Sequence, residues 1–259
     1  MKAGLNLFSI RNLLEGEENF LATALKVKAM GYSYIQFSGM PFDADMIARV
    51  STAAELPVVL THVPMDRIIN DTDALMAEHA KFGCKNIGLG MMPLATILNK
   101  EELKKTVADL DAAGEKMKKN GFGFFYHHHH YEFYKHDGET VFDYIIKNAE
   151  NINFTLDSYW LQYGGADICN TVDRLKGRIE CVHMKDYMMV VKEAEEGTKP
   201  VIEPRFAPVG DGMIDFAAFV EHASAAGAKY FLVEQDNAAK LPDTLGQVER
   251  SIKYITENL

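Results

Sequence analysis

The sequence predicts a single-domain α/β fold, a (β/α)8 barrel of the TIM type spanning residues 1–259 with an extended loop after the seventh strand. Three observations predict it. Eight short apolar runs punctuate the chain, apolar residues recur between them at helical spacings of three and four, and a glycine often stands where helix gives way to strand. Spread over 259 residues, eight units take about 32 residues each, the size of one βαβ repeat.

The first run is Gly4–Phe8, and the stripe Phe20, Leu21, Ala24, Leu25 and Met30 makes the helix behind it, ended by Gly31. The second, third and fourth runs are Tyr34–Phe37, Val58–His62 and Asn86–Leu89, the last preceded by Gly83. Leu103, Val107, Leu110, Gly114 and Met117 form a helical stripe before Gly121 and the fifth run, Gly123–His127. Phe154–Asp157 and Ile179–His183 are the sixth and seventh. Phe216, Phe219, Val220 and Ala223 lead through Gly227 into the eighth, Tyr230–Glu234. Strands separated by helices pair in parallel through right-handed crossovers, and eight of them close a barrel. The alternative, an open doubly wound sheet, normally carries a glycine-rich dinucleotide turn after its first strand, and "FSIRNLLEGEE" has none. One interval breaks the rhythm: His183 to Glu234 is 51 residues, against 26 from Asp157 to His183. Within it Lys192–Pro208, charged and carrying Gly197, Pro200, Pro204 and Pro208, reads as the extended loop, a lid over the barrel.

Composition narrows the function. Hydrophobic residues at 47% and charged residues at 25% exclude a disordered chain, a collagen and a disulfide-stapled module. A formal net charge of −10 argues against a nucleic-acid partner, whose phosphates call for lysine and arginine. Cys84, Cys169 and Cys181 are odd in number and far apart, so a reducing compartment is expected. The apolar stretch Ala3–Ile10 is broken by Asn6 and Ser9 and no apolar window reaches spanning length, so a cytoplasmic protein without a membrane partner is expected. A homo-oligomer stays open.

The strand ends carry the chemistry, because active sites of such barrels lie at the C-terminal ends of the strands. His62, His127, Asp157, His183 and Glu234 end runs three, five, six, seven and eight. Strand alternation puts Thr155 with Asp157, Cys181 with His183 and Leu232 with Glu234 on shared faces, so the terminal groups converge if those faces point to the axis. Two histidines and two carboxylates suit one divalent metal ion, Mn, Zn, Co or Mg. Each residue alone also has an ordinary structural reading; Asp157, for one, could cap the helix that follows. In the run His127-His128-His129-His130, His127 is assigned to the metal and His129 to substrate, with His128 and His130 as packing or polar contacts. Glu132 is a competing ligand or a general base.

These segments resemble the xylose isomerase-like barrel superfamily of sugar isomerases and epimerases over nearly the whole chain. "GLNLFSIRNLL" resembles the family's G-L-Q-L-Y-S-x-R-D segment, with Asn6 and Phe8 departing from it. "FFYHHHHYEF" is similar to the Y-H-N-H-x-x-E-F segment of one branch, with His128 in place of Asn. "LDSYWLQYGGAD", "GRIECVHMKDY", "FAPVGDGMIDF" and "FLVEQDN" resemble its later segments, in the right order. The resemblance implies a divalent metal held by His127, Asp157, His183 and Glu234. Many relatives carry glutamate at the strand-five position, so His127 removes one of the paired metal-bound glutamates that several family epimerases use for acid–base work.

The expected activity is a metal-dependent isomerase or epimerase on an unphosphorylated sugar or keto-sugar. A carboxylate, Glu234 or Glu132, takes a proton next to a carbonyl, and the metal with Lys185 stabilises the enediolate. A keto-sugar or cyclitol dehydratase or lyase on the same metal site is the alternative. Tyr159 and Trp160 offer a flat apolar wall, and Arg11 and His62 are further substrate contacts. A nuclease for abasic DNA would need more metal ligands and a basic groove, and a non-catalytic sugar-binding barrel would show no proton exchange.

Overall fold

Each barrel strand hydrogen-bonds to the next one in sequence, and the first closes on the last. The computed structural model describes residues 1–192 and 199–259. The barrel strands are β1 (Gly4–Asn6), β2 (Tyr34–Phe37), β3 (Val58–His62), β4 (Asn86–Leu89), β5 (Gly123–His127), β6 (Ile152–Asp157), β7 (Cys181–Met184) and β8 (Tyr230–Val233). All eight pair in parallel, and Gly4 opposite Leu232 closes the ring. Against expectation, β1 stops at Asn6, whose side-chain oxygen accepts from the Phe8 backbone and starts a 3-10 turn over Leu7–Leu13. Strand β7 begins at Cys181 rather than Ile179, and β6 begins two residues early at Ile152.

The side-chain period of two explains the position of the site. Tyr34, Leu60, Phe125, Cys181 and Leu232 form one buried apolar cluster inside the barrel. Two residues further along the same strands stand Gln36, His62, His127, His183 and Glu234, on the same inward face. The apolar layer is thus the floor, and the polar layer is the top. Gly4 is part of the fit: a Cβ there would lie 2.2 Å from the Tyr34 ring, so only glycine lets β1 approach.

Helices cover the outside. Lys100–Lys119 buries Leu103, Val107, Leu110, Gly114 and Met117, starting at Asn99, whose side chain accepts from the Glu101 and Glu102 amides. Phe216–Ala226 starts at the Asp215 cap and ends at Gly227, whose φ of 108° is the left-handed conformation expected of that residue.

The extra length after β7 sits where the spacing places it, but its form differs from an irregular loop. Asp186–Lys192 and Val201–Ala207 pair as an antiparallel ribbon, from Asp186 opposite Ala207 to Lys192 opposite Val201. Gly197 lies outside the described residues. Pro204 is tolerated because a two-stranded ribbon has edges on both sides. At the ribbon's base the Asp186 carboxylate accepts from the amides of Gly210, Gly212, Met213 and Ile214, which ties down the return to the next helix. No helix among the described residues is long and apolar enough to cross a membrane.

Candidate metal centre

His127, Asp157, His183 and Glu234 meet at the top of the barrel, and one ligand atom from each lies within 4.8 Å of all the others. His127 Nε2 is 3.5 Å from Asp157 Oδ2 and 3.9 Å from Glu234 Oε2. His183 Nδ1 is 3.8 Å from Asp157 Oδ2 and 2.9 Å from Glu234 Oε2. All four side chains are buried.

What surrounds the cluster fixes which atom each residue turns inward. His127 Nδ1–H donates to the Gly90 carbonyl at 3.0 Å, which leaves the Nε2 lone pair for the centre. Gln36 Oε1 accepts from His183 Nε2–H at 2.7 Å, which leaves Nδ1. The same amide donates its nitrogen to His62 Nε2 at 3.0 Å. Asn6 donates to Glu234 Oε1 at 2.6 Å, turning Oε2 inward. Asp157 Oδ1 caps the following helix by accepting from the Trp160 amide at 2.9 Å, which leaves Oδ2 turned to the centre, so the cap and the ligand reading are compatible, one oxygen each. The Asp157 amide in turn donates to His128 Nε2 at 3.1 Å, so His128 ties the ends of β5 and β6 together.

The remaining atoms, His127 Nε2, Asp157 Oδ2, His183 Nδ1 and Glu234 Oε2, are buried and make no hydrogen bond, only ion-pair approaches to one another and to Lys185. A buried polar atom normally finds a hydrogen-bond partner. Four orphans at one point, two imidazole nitrogens and two carboxylate oxygens, each oriented by a bond on its other side, fit a divalent cation.

Lys185 is the counter-charge. Its Nζ lies 3.4 Å from Asp157 Oδ2, 3.0 Å from Glu234 Oε2 and 2.9 Å from Asp236 Oδ1. Burial opposes charge on each partner, but the mutual attraction outweighs it: Asp157 and Glu234 are held well below the usual carboxylate range, and Lys185 is raised. Burial pulls His183 down, and Glu234 and Asp157 outweigh it to lift His183 to about 9. Burial keeps His62 well below the ordinary imidazole value, so it is neutral.

A cleft of about 790 Å3 opens over the cluster and is lined by His62, His127, His129, Lys185, Glu234 and Asp236 on its polar side. Four of the other expected site residues, Glu132, Arg11, Tyr159 and Trp160, stand off its wall. Glu132 is fully buried, with Oε1 accepting from the Tyr126 hydroxyl at 2.6 Å and Oε2 from the His129 amide at 2.8 Å. Its carboxylate is thereby held behind β5, and burial raises it to about 7. Arg11 donates to the carbonyls of Phe8 and Asp236 and buttresses the wall from behind. Tyr159 packs on Tyr163, Tyr187 and Phe206, joining its helix to the ribbon. Trp160 stands between, its ring 5.1 Å from Lys185 Nζ and 5.1 Å from the His129 ring.

Residues 25–258 match the family described as xylose isomerase-like TIM barrel. The chain belongs to that family. No curated protein matches it. Among solved structures it is similar to a sugar phosphate isomerase/epimerase from Parabacteroides distasonis, at TM-score 0.82 and 20% identity, covering 99% of this chain and 94% of that one. It is also similar to an L-ribulose 3-epimerase, at 0.70 and 17%, covering 99% and 94%. A third similar structure is the IolI protein with a binding zinc atom, at 0.69 and 18%, covering 99% and 97%. At such identities the likeness to these structures is one of fold.

Asn6, Gln36 and Asp236 were not singled out from the sequence. A signal existed for two of them. Asn6 ends β1, and Gln36 pairs with it in register near the end of β2, so the strand-end test extended to uncharged amides finds both. Asp236 lies beyond its strand, where alternation gives no direction.

Proposed function

We propose that this protein is a divalent-metal-dependent sugar isomerase or epimerase that moves a proton next to a carbonyl through an enediolate. The observation that carries this reading is the set of four orphaned ligand atoms at the floor of a cleft that also presents a buried lysine and a second carboxylate. His127, Asp157, His183 and Glu234 would hold one ion, and that ion supplies Lewis-acid polarisation of a carbonyl oxygen. Lys185, held cationic by three carboxylates, keeps its protons and offers its positive charge and an N–H hydrogen bond to the oxygen that gains charge as the C–H bond breaks. Asp236 is the carboxylate on the cleft wall placed to take that C–H proton, 2.9 Å from Lys185 Nζ, because Asn6 and the ion would occupy the two oxygens of Glu234. His62, at the end of β3, and His129, beyond β5, bind hydroxyls. Glu132 has no base role in this scheme, because its carboxylate is spent on Tyr126 and the His129 amide.

The test is incubation of candidate ketoses and aldoses with the Mn2+-loaded protein in D2O. Deuterium appearing at the carbon next to the carbonyl, dependent on metal and lost in Lys185→Met, supports the proposal. Metal-dependent turnover without exchange overturns the enediolate route.

A further inference from the structure

The cleft is divided by the fold into two unlike halves. Residues after β5–β8 supply its polar wall: His127, His129, Lys185, Glu234 and Asp236. Residues at and after the ends of β1–β4 supply a wall that is mostly apolar, with Phe8, Met40, Met65, Met91 and three prolines, and with His62 and Ser38 at its inner edge. Met91 is 54% exposed, so this wall is open surface and not the edge of the core. Phe8 is fixed in place: the Arg11 guanidinium sits 3.9 Å from its ring centroid, and a Cβ on Gly39 would come within 2.8 Å of the ring edge. Three methionines give a surface that is adaptable in shape and polarizable.

Charge points the same way. Among the described residues, Lys185 is the one lysine or arginine on the cleft wall, and three carboxylates already surround it. The outer half adds Asp66. Phosphate recognition relies on arginine, lysine or a cluster of free amide donors, and the apolar half offers no such cation. The volume, about 790 Å3, falls in the upper part of the roughly 300–1,000 Å3 range that encloses drug-sized ligands, which leaves room beyond a lone monosaccharide.

We propose that the β1–β4 half of the cleft is an apolar subsite, and that the substrate is an uncharged sugar or keto-sugar carrying an apolar substituent such as an aryl group. This rests on the reading that the β5–β8 half receives the sugar. The sugar's oxygens face the metal ligands and Lys185, while the substituent lies against Phe8, Met40, Met65 and Met91.

Calorimetric binding of methyl and phenyl glycosides of glucose, galactose, mannose and xylose, and of glucose 6-phosphate, tests this with and without Mn2+. The expected result is a phenyl glycoside at least tenfold tighter than its methyl partner in one or more of the series, with or without the metal. Met65→Gln and Met91→Gln each bring that ratio towards one, and glucose 6-phosphate binds no more tightly than methyl glucoside. The subsite is overturned if no phenyl glycoside exceeds its methyl partner, complete absence of binding included. It is also overturned if the ratio survives both methionine substitutions, or if the phosphate ester binds tightest. A phenyl preference with no Mn2+ dependence leaves the subsite standing and counts against the metal-dependent function; the reverse pattern sinks the subsite alone.

Discussion

Gln36 is the sharpest place to perturb the centre, because its amide touches none of the four atoms that face it. Its Oε1 accepts from His183 Nε2–H at 2.7 Å between two fully buried side chains, and its Nε2 donates to His62 at 3.0 Å. Gln36→Leu keeps the approximate volume and removes both bonds. The His183 Nε2–H is then a buried donor without an acceptor, which costs about 1–3 kcal/mol. In a domain of this size that lowers the melting temperature by roughly 2–12 °C. The neutral imidazole that binds metal also loses its preference for the tautomer with a bare Nδ1, and outer partners of this kind are worth about 10–100-fold in metal affinity. Gln36→Glu retains an acceptor for Nε2–H, so it binds metal more tightly than Gln36→Leu. The assay is competition for Mn2+ and Zn2+ against a chelator of known affinity, alongside thermal unfolding of each metal-free variant. A folded Gln36→Leu protein with wild-type metal affinity would refute the assignment of His183 Nδ1 to the centre.

Three further outcomes follow from the same geometry. Asp157→Ala and His183→Ala lose the bound ion, which metal analysis of the purified proteins reads as a fall from about one per chain towards zero under the single-site scheme; full retention in either variant removes that residue from the ligand set. His183, lifted to about 9 in the metal-free protein, carries a proton at pH 7 that the ion displaces, so metal affinity rises with pH up to that value. Calorimetry in buffers of different ionisation enthalpy reads this as proton release near pH 7, and release of none contradicts it. Burial raises Glu132 to about 7, well above the ordinary carboxylate value it has in the unfolded chain. The folded chain therefore binds this proton more strongly than the unfolded chain, and the stabilisation is present below the unfolded value and is lost as pH rises through about 7. Urea unfolding at pH 5 and pH 8 should show wild type losing stability across that window and Glu132→Gln losing less; parallel slopes contradict it.

The barrel and the convergence of its strand-end histidines and carboxylates were legible because both rest on a period. Alternation fixes that His127, His183 and Glu234 share a face with Phe125, Cys181 and Leu232, so a polar residue ending an apolar run announces the top of the barrel. Residues without a period were harder to place. Glu132 is close to His127 in sequence, but the 3-10 turn Tyr131–Phe133 carries it behind the strand to the Tyr126 hydroxyl. Arg11 looks like a substrate contact until its guanidinium is seen on two backbone carbonyls. The ribbon was hidden by Pro204 and a charged composition, both of which a two-stranded edge accommodates. His128 and His130 part company: His128 bridges to the Asp157 amide, while His130 stacks on Trp160.

The central claim is that one divalent ion sits among four ligand atoms at the end of β5–β8, and anomalous diffraction from crystals grown with Mn2+ tests it most directly. The account predicts a single strong peak within about 2.0–2.3 Å of His127 Nε2, Asp157 Oδ2, His183 Nδ1 and Glu234 Oε2. A peak elsewhere, or none at saturating Mn2+, would contradict it.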